Sequence, residues 1–213
     1  MTDSTPLGTA RLERLAVSAM DNNVYLVVAR TGEQLLVDAA DDAEAILAML
    51  GAGPLRTVVT THGHWDHHRA LAAVVAATGA RTAAGAADAP DLPVPVDVPL
   101  AHGDRLAVDA AGELVLDVVA LRGHTPGSVA LALTEPHDAP RPGRVHLLTG
   151  DSLFPGGVGR TTSPADFTSL LDDVEERLFG VFPDDTVVWP GHGLPTTLGA
   201  ERPHLARWRE RGW

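Results

Sequence analysis

Four metal-ligand side chains stand within six residues in the run Thr61-His62-Gly63-His64-Trp65-Asp66-His67. The run follows Arg56–Thr60 (RTVVT), an apolar segment of the buried-strand type, and precedes Leu71, Val74 and Val75, whose spacing predicts a helix closed by Gly79. A chain that carries such a loop must expose the end of a strand at which further ligands can meet it. In extended backbone His62 and His64 project to the same side and reach one metal. Asp66 and His67, where the chain turns, point to a second metal beside it. A solvated His-rich turn would be the better explanation of a lone HxH; the appended Asp-His favours metal.

Three more strand ends carry the same signature. Glu113–Leu121 runs into Arg122-Gly123-His124-Thr125-Pro126-Gly127, Arg144–Leu148 into Thr149-Gly150-Asp151, and Thr186–Trp189 into Pro190-Gly191-His192-Gly193. Each puts a ligand-type residue beside a glycine, which permits the sharp turn that brings backbone and side chain to a shared centre. Gathered at one sheet edge, these ends supply five histidines (His62, His64, His67, His124, His192) and two aspartates (Asp66, Asp151). That set suits two metals bridged by a carboxylate.

The remaining segments describe the scaffold. Leu12–Ala19, Val24–Ala29 and Gln34–Val37 read as a meander, and Ala43, Ile46, Leu47 and Leu50 follow helical spacing. The Ala- and Pro-rich stretch Ala83–Pro99 reads as loop with a fragment of helix. Arg105–Val108 and Ser128–Leu133 read as strands. Ser163-Pro164 with Asp166 opens a helix whose stripe is Phe167, Leu170, Leu171, Val174 and Leu178. The tail WRERGW is expected to pack across the scaffold. Strands followed by helix, twice over, predict an α+β sandwich of two sheets covered by helices, in a single domain over residues 1–213.

Composition narrows the chemistry. Cysteine and lysine are both absent, which removes disulfides, thiolate nucleophiles, Schiff-base chemistry and a P-loop lysine. The net charge of −12, without a basic stripe, argues against nucleic acid as a partner. No apolar run reaches the roughly 18–20 residues of a membrane span, and the start MTDSTPLG lacks the layout of a secretory signal, so a cytoplasmic protein without membrane contact is expected. The expected partner is a small-molecule substrate; no oligomeric state follows from the sequence.

In order along the chain, HxHxDH, GHTPGS, TGDSLF and PGHG resemble the signature of the metallo-β-lactamase superfamily, from Asn23 to Arg202. The resemblance implies an αββα sandwich of two mixed sheets with metals at one edge. It implies that His62, His64 and His124 hold one divalent ion, that Asp66, His67 and His192 hold the other, and that Asp151 bridges them. The ions would be zinc, with iron or manganese as alternatives. Asp38, ending the strand LLVD, matches a family position that orients ligands. Asn23–Val27, Gly159-Arg160-Thr161 and Pro190–Arg202 look most like short glyoxalase II-type hydrolases.

By that resemblance a hydroxide generated on the metals attacks an ester, thioester or lactone, and Asp66 orients it and shuttles its proton. Trp65, Phe154 and Arg160 are candidate pocket residues, with core packing weighed equally for Trp65 and a structural salt bridge weighed against substrate binding for Arg160. His68-Arg69 after the DH and Thr162 after the GRT depart from the pattern. Long relatives grip glutathione with a further helical domain, so a glutathione preference is not expected here. Two other readings stand beside the hydrolase. One is a non-haem iron persulfide dioxygenase using His62, His124 and Asp151; the other is a non-catalytic metal-binding scaffold.

Overall fold

Apolar runs without alternation, such as Asn22–Val28 (NNVYLVV) and Gln34–Val37 (QLLV), need cover on both faces, and both are buried throughout in the computed structural model, which describes residues 2–212. They are the third and fourth strands of a seven-stranded sheet. Its strands are β1 (Thr2–Leu7), β2 (Ala10–Val17), β3 (Asn22–Val28), β4 (Gln34–Val37), β5 (Leu55–Thr60), β6 (Arg81–Gly85) and β7 (Val98–Leu100), in that spatial order. β1 to β4 form an antiparallel meander, and β4 to β7 are parallel. The crossover helices α1 (Ala43–Met49) and α2 (Leu71–Thr78) lie on its outer face. There Ile46, Leu71 and Val74 pack with Val24, Leu26, Leu36 and Val58.

The second sheet contains β8 (Arg105–Ala107), β9 (Val115–Ala120), β10 (Val129–Thr134) and β11 (Val145–Gly150). A small hairpin of β12 (Leu153–Phe154) and β13 (Gly157–Val158) follows, before β14 (Val187–Pro190) and β15 (Thr196–Thr197) complete the sheet in the order β15-β14-β11-β10-β9-β8. Helix α3 (Pro164–Val174) starts where Ser163 Oγ accepts from Asp166 N at 3.1 Å, and it ends in a wider turn, Glu175–Phe179. Short helices α4 (Leu198–Glu201) and α5 (Leu205–Arg211) close the chain. Phe167, Leu170, Leu171 and Val174 cover Ala130, Leu147 and Val188, and Trp208 joins them.

Between the sheets, Leu12, Val27, Leu35, Val37 and Val59 face Leu116, Val118, Leu131, Leu133 and Leu148. Each such side chain contributes about 1.5–3 kcal/mol by leaving water, so three apolar layers hold four structural ones. The result is the expected αββα sandwich. Two local expectations change. Thr2–Leu7, polar in composition, forms an edge strand on β2. Ala83–Pro99 begins inside β6 and ends inside β7, with one 3-10 turn, Ala89–Asp91, between them. Of the tail, Trp208 is buried as expected, while Trp213 lies outside the described residues. Among those residues no helix is long and apolar enough to cross a membrane.

Candidate metal centre

β5, β9, β11 and β14 all end at one rim, and backbone hydrogen bonds stitch the rim together. Val129 N donates to Thr61 O (2.9 Å), Asn23 N to Gly191 O (2.8 Å) and Gly191 N to Gly150 O (2.8 Å). These bonds bring the 62–67 loop against the loops that carry His124, Asp151 and His192. A Cβ on Gly191 would collide with Asp151 Oδ1, so only glycine lets the last loop pass this close.

Three donor groups result: His62 with His64 and His124, His62 with His67 and Asp151, and Asp66 with His67 and His192. Within each group the donor atoms lie within 4.8 Å of one another. All seven residues singled out as ligands are therefore gathered. Each group takes two members from the 62–67 loop and one from the second half of the chain. Asp151 is central, with carboxylate oxygens 3.3 Å from His67 Nε2, 3.5 Å from His192 Nε2 and 3.7 Å from His124 Nε2.

The hydrogen bonds behind the ligands set their tautomers. Asp38 is buried, and its Oδ2 lies 2.9 Å from His67 Nδ1 while also accepting from Thr61 Oγ1 at 2.8 Å; its Oδ1 accepts from Thr61 N at 2.8 Å. With its own proton given to Asp38, Thr61 Oγ1 is the acceptor for His62 Nδ1 (3.1 Å). His124 Nδ1 donates to Arg160 O (2.6 Å) and His192 Nδ1 to Met20 O (2.8 Å). All four rings thus spend their Nδ1 hydrogen on the protein and turn Nε2 to the centre.

There the Nε2 atoms of His62 and His124 face each other at 3.2 Å, as do those of His67 and His192. Two lone pairs that close repel unless a positive charge lies with them. Asp151 Oδ1, buried, makes no hydrogen bond of good geometry, with His67 Nε2 at 3.3 Å as its neighbour. Orphaned nitrogen and oxygen donors turned to one point fit metal cations.

The electrostatics agree. Burial holds His62 well below, and His124 below, the ordinary histidine value, so both imidazoles are neutral donors. Burial alone would raise Asp151, but His192 and His67 outweigh it and keep that carboxyl far below the usual range. Burial would likewise raise Asp66, and the Asn22 amide, donating to Asp66 Oδ2 at 3.0 Å, helps bring it down. His67 is pushed up to about 10: burial opposes its charge, but Asp38 and Asp151 prevail. The hydrogen bond to Asp151 likewise raises His192. In the protein alone a proton thus occupies the negative potential that a metal would otherwise fill.

Around the centre the pocket residues separate. Phe154 is half-buried, its ring 6.4 Å from that of His192. Arg160 is exposed and borders, with His64, His124, Thr161 and Thr162, a hollow of about 430 Å³. Its side chain makes no ion pair among the described residues, where the structural salt bridge weighed for it therefore finds no partner. An adjoining cavity of about 520 Å³ runs from His64 and His124 to Arg122, Thr162, Asp166 and Ser169. Trp65 is 60% exposed with the Arg69 guanidinium 3.5 Å over its ring, which removes the core-packing reading. His68 is buried against Gly63 O (3.2 Å) and is neither a pocket wall nor a helix-surface residue. Asn22 and Thr61 escaped sequence reasoning; a turn asparagine and a strand-end threonine carry no local sign of the ligands they hold.

A family model of the metallo-beta-lactamase superfamily matches residues 18–192. Hydroxyacylglutathione hydrolase of Fuscovulum blasticum is 35% identical over 186 residues, 85% of this chain and 66% of the relative. The chain thus spans just under two-thirds of that relative's length. Among solved structures, ETHE1 from Myxococcus xanthus aligns with a TM-score of 0.76 at 28% identity, over 93% of this chain and 84% of its own. TTHA1623 in a di-iron-bound form aligns with a TM-score of 0.69 at 31% identity, over 89% and 96%.

Proposed function

Because this chain belongs to the metallo-beta-lactamase superfamily, we propose that it is a hydrolase that holds two divalent ions, preferably zinc, and cleaves a small thioester, ester or lactone. The observation that carries the proposal is the pair of facing Nε2 contacts, His62–His124 and His67–His192, on either side of Asp151. His62, His64 and His124 would hold one ion, Asp66, His67 and His192 the other, and Asp151 both. Two such ions supply Lewis acidity toward a carbonyl and bring the pKa of water to about 7.

The chain's own residues do the rest. Asn22, which also donates to Asp66 O at 3.0 Å, fixes the Asp66 carboxylate, leaving it a proton acceptor at the centre. Arg160 offers the hollow beside His64 and His124 a guanidinium for an anionic group on the substrate, and Phe154 adds an apolar wall beside His192. The single-iron oxygenase reading uses His62, His124 and Asp151 and finds support in the likeness to ETHE1. It would leave Asp66, His67 and His192 assembled but unused, and metal content with oxygen uptake separates the two readings.

Elemental analysis, oxygen uptake and a screen of thioesters, esters and lactones test the proposal together. Close to two divalent ions per chain are expected, with hydrolysis that a chelator abolishes and no preference for glutathione thioesters over other small acyl compounds. About one iron per chain with persulfide-dependent oxygen consumption would overturn it. Bound metal without turnover of any acyl substrate would leave only a binding scaffold.

A further inference from the structure

The two loops that carry His62, His64 and His124 are tied to each other by a residue outside both. Asp88 stands in the turn after β6, wholly buried. Its Oδ2 accepts from Gly63 N at 2.8 Å and from Thr125 Oγ1 at 2.5 Å, and its Oδ1 accepts from Gly127 N at 2.6 Å. Gly63 separates His62 from His64, and Thr125 follows His124. Every member of this donor group is therefore next in sequence to a residue that the Asp88 carboxylate holds.

The clamp is closely fitted. Because Thr125 gives its proton to Asp88, the Ser128 hydroxyl donates to Thr125 Oγ1 (2.6 Å) while accepting from Thr125 N (3.2 Å), which locks the turn after His124. A Cβ on Gly127 would come within 2.5 Å of Asp88 N and 2.7 Å of Asp88 Oδ1, so the second loop lies directly on the carboxylate. The other donor group has separate supports: Asn22 for Asp66, Asp38 for His67 and Met20 O for His192.

We propose that Asp88 is a positioning residue for the first metal only: it sets the separation of the His62–His64 loop from the His124 loop, and with it that site's affinity. The inference rests on the metal reading above. Asparagine would keep the shape and spoil the clamp. Its amide group at the Oδ1 place meets the Gly127 N–H, and at the Oδ2 place it meets the Gly63 N–H, so one loop is pushed away whichever way it turns.

The test titrates the metal-free protein with cobalt(II) against a competing chelator, following the visible absorption bands; His64→Ala and His192→Ala supply reference spectra for the two sites. Asp88→Asn is expected to weaken the first site about 10–100-fold, the range typical of groups that orient ligands, and to leave the second site unchanged. Thr125→Val, which removes one of the three hydrogen bonds, should move the first site in the same direction by less, with the circular dichroism of the metal-free chain unaltered. It decides the question alone if Asp88→Asn does not fold. Wild-type constants at both sites in the folded variants would overturn the proposal, and so would equal weakening of both, which signals general loosening. A wild-type chain that takes up no cobalt would overturn the metal reading itself, and this inference with it.

Discussion

Asp38→Asn isolates the support of the proposed second metal site. Asp38 has φ +57°, a backbone conformation that asparagine tolerates well, so the exchange adds no backbone strain. What changes is one acceptor. If the amide group takes the Oδ2 place, Thr61 can rotate its hydroxyl to accept, but His67 Nδ1–H, 2.9 Å away, then faces another donor. With the ions bound the ring is pushed from the place that keeps Nε2 on the centre; without them it loses part of the negative charge that holds it protonated. If the amide takes the Oδ1 place, it opposes the Thr61 N–H, now 2.8 Å from that oxygen, and displaces the residue before His62. Loss of such an orienting group costs about 10–100-fold in metal affinity, or about 1.4–2.8 kcal/mol. Zinc competition against a chromophoric chelator at neutral pH should show that loss mainly at the second site. Nitrogen-15 NMR of the metal-free protein should show His67 giving up its proton at lower pH than in the wild type, because Asp38 no longer helps to hold it. Wild-type zinc affinity in a folded Asp38→Asn protein whose His67 titrates as in the wild type would refute the reasoning.

Asp151→Ala should cost more than Asp38→Asn, releasing both ions together because one carboxylate approaches His67, His124 and His192 at once; metal analysis showing one ion retained at full strength would contradict this. Arg160→Gln should raise KM several-fold for acyl substrates bearing an anionic group while barely changing KM for neutral ones, and equal KM values across both series would exclude it as an anion contact. Trp65→Ala, at an exposed site, should keep both metals and shift unfolding free energy by no more than about 0.5 kcal/mol, checked by urea titration. His146 concerns pH: its Nδ1 accepts from Trp189 Nε1 (3.0 Å), its Nε2 meets Glu135 (2.9 Å), and burial lowers its pKa despite that carboxylate. The unfolded chain therefore takes up a proton below the ordinary value of 6.5 that the folded chain refuses, and stability falls as pH drops through that value. His146→Gln in the metal-free protein should flatten this slope by up to about 1.4 kcal/mol per pH unit; an unchanged slope would mean His146 is charged in the fold.

The candidate ligands were legible in the sequence because His62, His64, His124, Asp151 and His192 each stand after a strand end with a glycine beside them, and Asp66 and His67 follow within the same short run. The sandwich was legible for a similar reason, since runs such as VYLVV and QLLV state their burial locally. What stayed hidden depends on distance along the chain. Asp88 meets partners 25, 37 and 39 residues away, and nothing in the Ala-rich stretch around it marks one aspartate among several. The same stretch concealed β6, because RTAAG offers a single β-branched residue, Thr82, and no aromatic, and is held in place by the parallel partner β5. β1 escaped because an edge strand with one open side needs little apolar surface, and only its last residue is buried. Trp65 shows the converse: a large aromatic flanked by candidate ligands invites a core reading as readily as a pocket one, whereas its ring lies exposed beneath Arg69.

The division of every donor group between the two halves of the chain has a consequence for biogenesis. Translation delivers His62, His64, Asp66 and His67 first, as an open chelate on a single loop. His192, which must come within 3.2 Å of His67, emerges 125 residues later. An ion caught early has solvent where Asp151, His124 and His192 will stand, and it can be stripped by any competing chelator in the cell. Firm retention begins only when the second sheet has formed and docked, a late event for contacts so far apart in sequence. On the proposed function, occupancy would then act as a seal on a finished molecule: stalled or misassembled chains would be left metal-poor and inactive.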